Sequence, residues 1–218
     1  MTEPTIEIDL VGTIVDQLAA QKGLQPTPVE SPEQQRERLR ARVQGLLDGY
    51  DREFAAGLEI LAHRTEGEGA EVAGRWLSKK DDLDAFVKAL AADWEASFQP
   101  LLASTTALYD KDDLHAAKSA LAVLVGVYPL EPEPYVLLGS IVWRQNGLAA
   151  AATYYDALLQ AMEHPVLNYF AADVFFNGGD RDRARELLKR ARVLCDEQPE
   201  PSAKFRPLIE DYLAELEG

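Results

Sequence analysis

A Gly-Gly-Asp turn, Gly178-Gly179-Asp180, separates the aromatic run YFAADVFFN from the basic run RDRARELL. A glycine-rich turn that opens a helix can cradle a phosphate with its backbone amides, and an adjacent aspartate can hold a cation. Other residues with chemical potential are His63, His115, His164, Cys195, the acidic run Asp110-Lys111-Asp112-Asp113, and the pair Glu131 and Glu133. Their spacing does not support a reaction. The histidines form neither an HExxH pair nor a His-Asp arrangement, and Cys195 has no evident basic partner to activate it. Residues 110–113 lack the alternating ligands and central glycine of a calcium loop. No GxxxxGK[ST] or GxGxxG segment is present, and Glu131 and Glu133 read as surface charge. The chain is therefore expected not to be an enzyme, with no catalytic residues, no cofactor and no metal.

The elements that carry these residues are expected to be helices. Of 218 residues, 47% are hydrophobic, enough to bury a core. Ala, Leu, Glu, Arg and Lys dominate over alternating β-branched residues, so the fold class is all-α. A formal charge of −15 disfavours nucleic acid phosphates and anionic lipid as partners. The start Met1-Thr2-Glu3-Pro4 lacks the basic flank and apolar run of a signal peptide, and the single Cys195 cannot form an internal disulfide. A cytoplasmic location follows as the expectation. No apolar run approaches the ~20 residues of a membrane span, so membrane insertion is not expected.

Residues 1–30 read as a short apolar segment and a Pro-rich linker. Ser31-Pro32-Glu33-Gln34 has the residues of a helix start. Leu39, Val43, Leu46, Tyr50, Phe54, Leu58 and Leu61 then recur at spacings of three and four, predicting a long helix that stops near residues 65–69. A second helical stretch carries Val72, Trp76, Leu83, Phe86, Leu90, Trp94 and Phe98, with a break at residues 79–82 and a stop near Pro100. Residues 31–97 thus form an N-terminal helical region.

From residue 98 the chain repeats. Ala117, Ala151 and Ala184 recur at intervals of 34 and 33 residues, the length of a tetratricopeptide unit. Bulky Leu121, Tyr155 and Leu188 follow each by four residues, and Thr105, Gly139 and Ala172 precede each by about twelve. Small residues are needed where helix backbones approach, and large ones fill the space between units. The turns within units fall at residues 110–113, at Asn146-Gly147 and at Gly178-Gly179-Asp180. The expected architecture is three tetratricopeptide-like helix-turn-helix repeats over 98–200 forming a short superhelix. A C-terminal capping helix over 201–218, with Leu208, Tyr212, Leu213 and Leu216 on one face, closes it.

The segments ALYDKDDLHAAKSALAVLVGVYPLEPEPYVLLGSIVWRQNGLAAAATYYDALL and HPVLNYFAADVFFNGGDRDRARELLKRA resemble the class II, or translocator, chaperones of bacterial type III secretion systems, of the SycD/LcrH type. Tyr109 with Ala117, Leu138-Gly139 through Tyr155, and Tyr169-Phe170-Ala171-Ala172-Asp173 carry the resemblance. Phe170 replaces a histidine of the family's third-repeat signature, Asp112 replaces a glycine, and the N-terminal region is longer than the family's. The resemblance implies a cytoplasmic, virulence-associated chaperone that binds an extended segment of a hydrophobic secreted protein in its concave face.

The residues themselves agree with peptide binding. First-helix positions expected to line a groove are Leu102, Thr106 and Tyr109, then Val136, Ser140 and Trp143, then Tyr169, Asp173 and Phe176. Aromatic rings offer contact area at little entropic cost, while Thr106, Ser140 and Asp173 can meet a peptide backbone. The competing reading buries Trp143 and Phe176 between helices. An adaptor or structural subunit with a permanent protein interface is the alternative function, and a homodimer is also open.

Overall fold

The computed structural model describes Glu37, residues 52–197 and residues 204–217. The chain divides into two compact units, Met1–Ala55 and Ala56–Gly218. The helix start at Ser31, with Leu39, Val43, Leu46 and Tyr50, lies outside the described residues, as do the apolar segment and linker of residues 1–30.

The second unit is helical, and no strand occurs among the described residues. Within it, a helical run over 56–64 (α1) is followed by α2 (Glu68–Leu77), α3 (Leu83–Asp110), α4 (Leu114–Val127) and α5 (Glu133–Asn146). Then come α6 (Leu148–Ala161), α7 (Pro165–Asn177), α8 (Arg181–Glu197) and α9 (Arg206–Glu217). Each helix from α2 to α8 packs on the next, α9 packs on α8, and the alternate pairs α3 with α5 and α5 with α7 also touch.

The breaks between helices have local causes. Asp82, Asp113 and His164 each accept a hydrogen bond from a backbone N–H of the first turn of α3, α4 and α7. Asp180 accepts from the Arg183 N–H at 3.0 Å at the start of α8. Such caps satisfy donors that the helix cannot, each contributing about 1 kcal/mol. The turns before α4, α6 and α8 each contain one residue with positive φ: Asp112 at 63°, Gly147 at 83° and Gly179 at 86°. These three turns thus require the left-handed region, and the first meets it without glycine; the turn before α2 also enters it, at Gly67 with φ 80°. The Gly-Gly-Asp turn is a helix stop followed by a helix cap.

Pro100 does not end a helix. It lies inside α3, which continues for ten more residues to Asp110, so the boundary expected at residues 97/98 falls within one element. An internal proline costs about 3 kcal/mol. Against that, Ser97, Leu101, Ser104, Thr105 and Leu108 are buried along one side of α3 across the proline. Burying Leu101 and Leu108 alone contributes about 1.5–3 kcal/mol each, so tertiary burial outweighs the local signal. Gly69 of α2 packs against the same place, where an added Cβ would lie 2.4 Å from the Pro100 carbonyl oxygen.

The small positions of the repeat pattern lie in the core. Thr105, Ala117, Ala151, Ala172 and Ala184 are fully buried, and so are Leu121, Tyr155 and Leu188 or nearly so. Gly139 lets the Tyr155 ring lie on α5. Trp76 is 0% exposed and donates its indole N–H to Asp93 Oδ2 at 3.1 Å, while Arg75 contacts both Asp93 oxygens. Helix α2 is thereby joined to α3. On α4, Ser119 and Val123 meet α1 at Gly57.

In α9 the buried side is Ile209, Leu213 and Leu216. Leu208, expected on that face, is 47% exposed. The helix begins at Arg206, with Lys204 and Phe205 in a turn, later than the expected boundary at 201.

Candidate functional site

The nine residues singled out by sequence fall on three helices, of which α5 touches both α3 and α7. Leu102, Thr106 and Tyr109 stand on α3, Val136, Ser140 and Trp143 on α5, and Tyr169, Asp173 and Phe176 on α7; all nine are half-buried. That intermediate exposure separates them from the core positions of the same helices, such as Thr105, Gly139 and Ala172.

Two of the polar members spend their proton locally. Thr106 Oγ1 donates to the Leu102 carbonyl at 2.9 Å and Ser140 Oγ to the Val136 carbonyl at 3.1 Å. Each hydroxyl keeps lone pairs for an incoming N–H but has no donor to offer while these bonds hold.

The first two sets are bridged by Arg144, a residue the sequence reading passed over. Its guanidinium lies 4.9 Å from the centre of the Tyr109 ring, and its Nη2 donates to Asp112 Oδ1 at 2.6 Å. The planar cation ties α5 to the end of α3 and the turn after it. Trp143 packs against the core shared by α6, α7, α8 and α9, as do Tyr169 and Phe176.

The third set is shared with α9. Tyr169 and Phe176 approach the Tyr212 ring at 6.0 and 5.8 Å between centroids, inclined at 72° and 81°. Tyr212 Oη donates to Asp173 Oδ1 at 3.4 Å, and Asn177 Nδ2 donates to the same oxygen at 3.1 Å. Burial, followed by the Asp173 carboxylate, pushes up the phenol pKa of Tyr155, Tyr169 and Tyr212. These groups therefore remain neutral at pH 7. Between α7 and α9 is a cavity of about 410 Å³ lined by Tyr169, Asp173, Phe176, Asn177, Leu208, Asp211, Tyr212 and Glu215. The spacing of Tyr212 and Leu208 marks them only as residues of a capping helix and gives no sign that they border this face.

A second cavity of about 400 Å³ lies elsewhere, between the loop joining α1 to α2 and α3. Its lining includes Arg64, Gly69, Pro100, Ser104 and Lys111 and none of the nine residues. The acidic turn is occupied by structure: Asp112 pairs with Arg144, and Asp113 both caps α4 and pairs with Arg64. His63 and His115 are exposed on separate helices, His164 caps α7, and Cys195 is buried. Among the described residues no group of three or more His, Cys, Asp or Glu is placed to hold a metal ion, and no helix is long and apolar enough to cross a membrane.

No protein-family model matches the chain, and no curated protein or solved structure matches it.

Proposed function

We propose that the chain is a non-enzymatic, tetratricopeptide-like chaperone whose α3, α5 and α7 form the inner layer of a short superhelix. In this reading it binds an extended, apolar segment of a hydrophobic secreted protein and keeps that protein soluble in the cytoplasm. The observation that carries this is the common character of the nine positions: they recur on alternate helices, of which α5 touches both α3 and α7, and are half-buried on each. A surface of rings and aliphatic groups, held partly out of the core, offers apolar area without requiring the protein to unfold. Peptide binding at such a surface is dominated by a few aromatic anchors. The excess of acidic residues keeps a complex with a sticky segment soluble.

The test is binding of fluorescent decapeptides with spaced apolar residues, together with co-expression of a hydrophobic secreted protein. Saturable peptide binding that S140R and T106R abolish, and a client that stays soluble only with the wild-type chain, would support the reading. Absence of peptide binding, or equal affinity for the blocked variants, would overturn it.

The alternative of an adaptor or structural subunit is favoured by a different feature. Val87 and Trp94, seven residues apart on α3, are 52% and 46% exposed. Such a pair suits a lasting protein interface outside the groove.

A further inference from the structure

The cavity between α7 and α9 combines two chemistries. Tyr169, Phe176 and Tyr212 supply aromatic walls, and Asp173, Asp211 and Glu215 supply carboxylates. We propose that this cavity accepts an organic cation, presented as a lysine or arginine side chain of the bound segment. The proposal rests on the peptide-binding reading and adds a charge requirement to it.

Geometry favours a cation over an apolar side chain. Tyr212 stands nearly perpendicular to both Tyr169 and Phe176, so the rings form walls at an angle rather than a stack. The face of each ring is electronegative and attracts an ammonium or guanidinium group within about 6 Å. The Arg181 guanidinium already lies 5.4 Å from the Phe176 centroid, so this ring does take a cation. No lysine or arginine lines the cavity itself.

Asp173 is oriented for the task. Its Oδ1 accepts from both Tyr212 and Asn177, and neither bond uses Oδ2. Asp211 and Glu215 are exposed on α9, where they add negative potential at the rim. The carboxylates are not gathered as a metal would demand, since no described cluster is placed to hold one. A diffuse organic charge needs no such convergence.

The experiment uses the full chain at constant ionic strength. Tyrosine ring resonances are followed by NMR during titration with tetramethylammonium chloride or with tert-butanol, a neutral molecule of similar shape. Two decapeptides that differ only in lysine against norleucine are then compared. The cation is expected to shift Tyr169 and Tyr212 saturably while tert-butanol does not. The lysine peptide should bind about threefold to thirtyfold more tightly, the range a cation–π contact confers.

Y212A should remove the preference. D211N/E215Q, which alters only exposed positions, should reduce it about threefold or more while helicity by circular dichroism stays unchanged. Equal shifts from tert-butanol, or a preference unchanged in D211N/E215Q, would overturn the cation site. Equal affinity for the two peptides would overturn the charge requirement and leave the groove reading standing. Saturable tetramethylammonium binding with neither peptide bound would retain the cation site and overturn its peptide carrier.

Discussion

The phenol of Tyr155 on α6 lies so close to Gly139 on α5 that a methyl group on that glycine would sit 2.5 Å from the Tyr155 oxygen. Tyr155 is itself buried among the side chains of the third hairpin, so its ring cannot simply swing aside. Gly139→Ala is expected to lower stability by about 1–3 kcal/mol, as overpacking in a dense core does. Urea unfolding followed by circular dichroism measures it; a loss below about 0.5 kcal/mol would mean that the helices separate freely.

Gly57 and Gly74 should respond in opposite directions. A Cβ at Gly57 would lie 2.2 Å from the Ser119 carbonyl oxygen, a backbone atom of α4, whereas one at Gly74 meets nothing within 4 Å. Gly57→Ala is expected to cost more than Gly139→Ala and to loosen α1, seen as faster proteolysis there. Gly74→Ala should raise stability by about 0.5–1 kcal/mol through helix propensity.

Asp112 combines a strained backbone with an exposed ion pair. Its φ of 63° disfavours most side chains, and its partner Arg144 lies 2.6 Å away. Replacing it with glycine relieves about 1 kcal/mol of strain and removes an exposed pair of about 0–1 kcal/mol. Asp112→Gly should therefore be as stable as the wild type or more stable by up to about 1 kcal/mol, and Asp112→Ala about 1 kcal/mol less stable than Asp112→Gly. Equal midpoints for the two variants would refute the left-handed requirement at this turn.

His164 makes the start of α7 sensitive to acid. Its Nδ1 accepts the Val166 N–H at 3.2 Å, which requires an unprotonated nitrogen. Burial lowers its pKa below the ordinary 6.5, with the Glu133 carboxylate acting against that shift. The neutral form is favoured in the folded state, so the stabilisation is complete above 6.5 and is lost as pH falls from there through the folded pKa. His164→Asn keeps a capping oxygen and should flatten this part of the stability profile. A variant with the same slope below pH 6.5 would assign the acid sensitivity elsewhere.

Peptide binding should be legible in tryptophan fluorescence. Trp76 is buried, Trp94 is exposed and Trp143 is half-buried on the proposed face. In a W94F background, an apolar decapeptide is expected to protect Trp143 from acrylamide, and S140R should abolish that protection. Unchanged quenching with bound peptide would place the peptide away from α5.

What depends on near neighbours is legible in the residues alone. The break at residues 79–82, the turns at residues 110–113 and at Gly178-Gly179-Asp180, and the spacing of Ala117, Ala151 and Ala184 act within a turn or a hairpin, where residue type and interval suffice. Tertiary structure decided the rest because distant burial can outweigh local preference. Pro100 stays helical because the residues around it are buried on one side of α3. Asp112 takes a glycine's backbone beside Arg144. Tyr212 meets Asp173 across 39 residues of chain, and only the packing of α9 brings that phenol into the field of Asp173 beside Tyr169.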